Sequence, residues 1–123
     1  MKSSKVQCNK VNLKASNCFA VDSGYYYTYN VVVGKDLSGS TLHYKVKDVN
    51  GESFLLELEG TSDASISGLY INDITVGDFD VRILGEDSVN IIGNKVFECY
   101  YVNSTGKHLL FQGNQEFDKG AIR

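Results

Sequence analysis

The sequence holds no proline and no tryptophan, one methionine, two histidines and three cysteines among 123 residues. Each shortage excludes something. Without proline, every turn has to be made by Gly, Asn, Asp or Ser. Without tryptophan, the eight tyrosines and six phenylalanines carry the bulky packing. The two histidines, His43 and His108, read as solvent-facing residues, and no serine sits in a G-x-S-x-G elbow. A nucleophile–base–acid set is therefore not legible, and no catalytic residue is assigned. No cysteine pair has C-x-x-C spacing, so no zinc site and no other metal site is expected. Cys8 and Cys18 could close a short loop in an oxidising compartment, whereas Cys99, inside an apolar strand pattern, reads as a small buried hydrophobe.

Other absences narrow the function. No apolar run approaches the ~20 residues of a membrane-spanning helix. Residues 1–17 lack the apolar centre of a signal peptide, which leaves two readings open: a cytosolic chain, or one whose export signal has been removed. A net charge of −3 argues against nucleic acid as a partner, and Lys2, Lys5, Lys10 and Lys14 read as a solvated N-terminal arm. Gly34 and Gly39 are not followed by the Lys-Ser/Thr of a phosphate loop, and no cofactor motif is present. Asp78 and Asp80 share one strand face, but the glycine-centred loop of an EF-hand is missing, so they read as surface carboxylates.

What is present is alternation of period two along almost the whole chain. Residues 25–33 read as one strand with Tyr25, Tyr27, Tyr29, Val31 and Val33 facing inward. Residues 41–48 follow, with Leu42, Tyr44 and Val46 on one face and His43, Lys45 and Lys47 on the other. Residues 53–59 set Phe54, Leu56 and Leu58 on one face. A three-residue loop, with Gly51 left-handed in a G1 bulge, would pair Val46 with Phe54, Tyr44 with Leu56 and Leu42 with Leu58. All six apolar side chains then share a face, and His43 meets Glu57.

Residues 60–68 read as a long polar loop. Shorter strands are expected over 69–76, 79–84 and 89–92. A second hairpin, 95–102 with 107–112, turns at Asn103–Gly106, and a last strand begins at Phe117. Helical periodicity is nowhere sustained, and residues 3–18 are the one place for a short helix. The expected fold is all-β: an antiparallel meander of about eight strands curling into a half-barrel or barrel. Residues 1–17 form a partly ordered arm and 18–123 a single antiparallel domain.

Gly93-Asn94-Lys95-Val96-Phe97-Glu98-Cys99-Tyr100-Tyr101-Val102, then Ser104 to Phe111, then Asp118-Lys119-Gly120-Ala121-Ile122-Arg123, lie in the last quarter of the chain. This segment resembles the terminal strands of the curved half-barrel domains of LolA/LppX-like prokaryotic lipoproteins and exported proteins. The resemblance implies a bent sheet around an apolar cavity, and an exported or cell-envelope location. It departs from that pattern in the longer Gly93-to-Phe97 spacing and in the residues before Cys8. On this reading Tyr25, Tyr27, Tyr29 and Tyr44 form the wall for a lipid or other apolar small molecule. The alternatives are a module that forms a homodimer through an open edge strand, and a small hydrolase with an unfamiliar site.

Overall fold

The computed structural model describes residues 16–119. Eight strands make the sheet: β1 (Ser16–Ser23), β2 (Tyr27–Val32), β3 (Thr41–Asp48), β4 (Phe54–Thr61), β5 (Gly68–Asp73), β6 (Asp78–Ile83), β7 (Gly93–Asn103) and β8 (Gly106–Lys119). A 3-10 turn, Ile74–Val76, follows β5, and a four-residue helix, α1 (Gly85–Ser88), follows β6. The strand order is β1-β8-β7-β3-β4-β5-β6-β2.

The architecture is the all-β half-barrel that the alternation implies, but it is not a simple meander. β1 runs parallel to β8, with Ser16 beside Gln112 and Ser23 beside Lys119, and β4 pairs with β5 in parallel at Gly60–Leu69 and Thr61–Tyr70. Alternation reports which face a residue occupies and is blind to which strand lies alongside. The helix expected within 3–18 falls mostly outside the described residues, and residues 16–18 are strand. The proposed Cys8–Cys18 bridge likewise lies outside them.

The curl follows from contacts across the sheet. β2 stands four places from β3 and six from β8 in the strand order. In a flat sheet those separations would be about 19 and 29 Å. Yet Tyr29 of β2 donates a hydrogen bond to Tyr44 of β3 at 3.0 Å, and Tyr44 donates to Gln115 of β8 at 2.7 Å. The concave face therefore closes on itself. It is filled by Val31, Leu42, Tyr44, Val46, Leu56, Leu58, Leu69, Phe79, Val81, Ile83, Phe97, Cys99, Phe111 and Phe117.

The two outermost strands, β1 and β2, are consecutive in the chain and joined by residues 24–26 alone. One corner of the half-barrel is thus pinned shut by a three-residue link. Helix α1 caps that corner: Ser23 Oγ donates to the Ser88 carbonyl at 2.6 Å, and the Gly24 N–H donates to Ser88 Oγ at 2.9 Å. Residues 89–92, expected as a strand, instead leave α1 in a turn, with the Ile91 N–H on the Ser88 carbonyl at 2.9 Å. Elsewhere, the loop after β2 folds over the 3-10 turn through Val33, Gly34 and Leu37 N–H groups and buries Leu37.

The first hairpin corrects the expected register. Tyr44 faces Leu58, Val46 faces Leu56 and His43 faces Glu59, two residues along from the sequence reading. The phase is the expected one, so Leu42, Tyr44, Val46, Leu56 and Leu58 are all buried. Gly51 is not left-handed, because the turn closes one residue earlier by a hydrogen bond from its N–H to the Asp48 carbonyl. The bulge lies inside β4, where Leu55 is the extra residue between the Lys47–Phe54 and Val46–Leu56 pairs, and Phe54 is left exposed. In the second hairpin the turn shrinks to Ser104–Thr105, with Asn103 Oδ1 accepting from the Thr105 N–H at 2.9 Å. β8 then runs on without a break and absorbs the separate last strand as far as Lys119.

Candidate functional site

Two groups of residues stand out from the packing. The first is the tyrosine set. Tyr27, Tyr29 and Tyr44 come together: the rings of Tyr27 and Tyr29 are 5.7 Å apart, and Tyr29 reaches Tyr44 through its hydroxyl. Tyr25 does not join them. It lies in the link before β2 and is 46% exposed, because the inward phase begins only at Tyr27. The sequence reading missed Gln115, a fully buried amide in phase with Phe111 and Phe117 on β8. Its Oε1 accepts from Tyr44, while its Nε2 has no hydrogen-bond partner among the described residues. A polar residue interrupting an apolar period-two run was the available signal.

Burial raises the Tyr27 phenol to about 12 and holds those of Tyr29 and Tyr44 well above the ordinary tyrosine value. The raised values have a consequence for stability. Unfolded tyrosine ionises near pH 10, so above it the unfolded chain loses protons that the folded chain keeps. The stabilisation is complete below about pH 10 and is lost as pH rises through the folded value, about 12 for Tyr27. An alkaline titration followed by tyrosinate absorbance and circular dichroism should show these phenols ionising only as the fold is lost. Smooth ionisation of every tyrosine near pH 10 with the fold intact would contradict it.

The second group is a cleft of about 480 Å³ at the end of β3 and β4. The β3–β4 pairing stops at His43–Glu59, and from Gly60 onward β4 pairs with β5 instead. Gly60 is in phase with Leu56 and Leu58, so the missing side chain leaves a notch in the apolar layer beside Leu42 and Ile71. Ile74, Ser40 and Thr61 complete the rim with Thr41, His43 and Glu59. A glycine in the inward phase was the sign to look for, hidden because residues 60–68 read as loop.

His43 is not solvent-facing as expected. Its side chain is only 19% exposed, because its ring stacks on Tyr100 at 5.0 Å. Nε2 lies 2.9 Å from Thr41 Oγ1, and Nδ1 lies 4.0 Å from Glu59 Oε2, too far for a hydrogen bond. His108 is likewise covered, stacked on Tyr101 at 4.9 Å and 2.7 Å from Thr105 Oγ1. Carboxylate, imidazole and hydroxyl thus line up at His43, but the first gap is open. His108 shows that a bare His–Thr contact recurs in this fold.

Two further clefts, of about 220 Å³ by Lys45, Lys47 and Phe54 and about 320 Å³ by Ile66, Leu84 and Asp87, are smaller. None of these three clefts has Tyr25, Tyr27, Tyr29 or Tyr44 in its wall. Asp78 and Asp80 are held by side-chain amides, each accepting from Asn30 and Asn72 at 2.8–3.2 Å. Among the described residues no three His, Cys, Asp or Glu side chains converge as metal ligands, and no helix is long and apolar enough to cross a membrane. Cys99 is buried, and burial pushes its thiol far up, which keeps it un-ionised.

No protein-family model matches the chain, and no curated protein does.

Proposed function

We propose that this domain is a non-enzymatic binding module, and that the cleft over Gly60 takes a small molecule with an aliphatic body and a polar end. The carrying observation is the shape and lining of that cleft: a volume of about 480 Å³ with Leu42, Ile71 and Ile74 along the notch and His43, Thr41 and Glu59 at the rim. Ligand sites of about 300–1,000 Å³ with mostly apolar walls and a few polar groups follow this pattern. Tyr27, Tyr29 and Tyr44 then shape the interior, and the ligand meets the rim instead of the tyrosine wall. The resemblance of the last quarter of the chain to exported half-barrel domains supports a cell-envelope location for such a module.

Gly60→Val is the test. A Cβ at Gly60 would meet nothing closer than 3.8 Å, so the fold accepts it, and the branched methyls project into the notch. Valine also suits a strand better than glycine, by up to about 1 kcal/mol. Titration with hexanol, followed by amide NMR, should give saturable shifts at Leu42, Gly60, Ile71 and Ile74. Gly60→Val should lose at least tenfold in affinity with no fall in Tm. Shifts scattered over the surface, or equal binding by the variant, would sink the proposal.

A further inference from the structure

We infer that the cleft selects a protonated alkylamine over a neutral or anionic molecule of the same length. This inference rests on the cleft reading above. The argument is the charge of the rim. Its lining holds one carboxylate, Glu59, and three hydroxyls, Ser40, Thr41 and Thr61, with no lysine or arginine. The nearest cation along β3, Lys45, is turned to Glu57 at 3.8 Å and lies over the Phe54 ring at 4.7 Å. Lys35, in the loop before Ser40, is placed over Tyr101 at 5.7 Å. A carboxylate or phosphate head would therefore meet Glu59 with no fixed cation to offset it.

An ammonium head finds the opposite. It has three N–H donors to place and needs acceptors on several sides. Glu59 is 76% exposed at the rim, and its 4.0 Å gap to His43 leaves its oxygens free to accept. Thr61 Oγ1 accepts from the Asp63 N–H at 2.9 Å and keeps a second lone pair. His43 is fixed by its stack on Tyr100 and by Thr41, so it does not swing across to occupy the carboxylate. The alkyl chain then follows Leu42, Ile71 and Ile74 into the notch, where Gly60 leaves room.

Because Glu59 is well exposed, the preference is modest and falls with salt. Hexylamine, hexanol and hexanoate titrated at neutral pH and low salt, on the wild type, Glu59→Gln and Gly60→Val, separate the claims. The amine should bind about fivefold more tightly than the alcohol, with hexanoate weakest. Glu59→Gln should bring amine and alcohol level without weakening the alcohol, and Gly60→Val should weaken all three. Hexanoate binding as well as hexylamine, or an amine preference that survives Glu59→Gln, would overturn the head-group inference and leave the cleft reading standing. If none of the three shifts the cleft amides, both fall together.

Discussion

Tyr44→Ala should leave the domain largely unfolded, with a loss of about 4–8 kcal/mol. Removing a large buried aromatic ring costs about 3–5 kcal/mol through lost burial and the cavity left behind. Tyr44 is 0% exposed and stacks on Phe97 at 5.2 Å, so the site has little freedom to collapse. The hydroxyl adds a second loss. It accepts from Tyr29 and donates to Gln115, and its removal strands a buried amide oxygen, at about 1–3 kcal/mol. Native domains hold only about 5–15 kcal/mol in total.

Tyr44→Phe isolates the hydroxyl and should cost about 1–3 kcal/mol in urea denaturation. Combined with Gln115→Leu, the loss should be smaller than the two single losses together, because no orphaned acceptor then remains. Additive losses would mean that the Tyr44–Gln115 contact contributes nothing of its own.

Gly85→Ala should lower stability by about 2–3 kcal/mol, or about 10 °C in Tm. Backbone preference points the other way. Gly85 opens α1 without a positive φ, and alanine in a helix gains about 1 kcal/mol over glycine. Sterics decide the sign. A Cβ there would clash with the Gly24 carbonyl oxygen and lie 2.8 Å from its carbon. Both are backbone atoms of the link between β1 and β2, and a main chain cannot swing aside as a lysine tip can. Gly60→Ala is the control: its new Cβ would sit in ordinary contact at 3.8 Å, so the variant should be as stable as the parent or more so. A stable Gly85→Ala protein would show that the corner yields freely.

The faces of the strands were readable in the sequence, and their neighbours were not. Leu42, Tyr44 and Val46 announce a buried face because side chains alternate in a strand. Their partners depend on how many residues the turn after Asp48 consumes, and the bulge at Leu55 adds one more residue of shift and turns Phe54 outward while Leu56 and Leu58 stay buried. Parallel pairing of β1 with β8 joins residues almost a hundred apart and leaves no local mark. The site divides in the same way. Tyr27, Tyr29 and Tyr44 were legible as an inward aromatic run. Gln115 and Gly60 were not, since a polar residue and a glycine look like ends of strands until the strand is seen to continue through them.

The pairing of β1 with β8 also dictates a schedule. Among the described strands Ser16–Ser23 is synthesised first, yet its ladder partner there, β8, is made last. β2 is in the same position at a shorter delay, waiting for β6. A chain emerging from the ribosome therefore carries two unpaired strands, joined at residues 24–26, until distant segments arrive. Such long-range closures slow folding and expose strand edges to wrong partners. The short link that pins the corner of the finished barrel is, during synthesis, a hairpin-like pair of sticky edges held side by side.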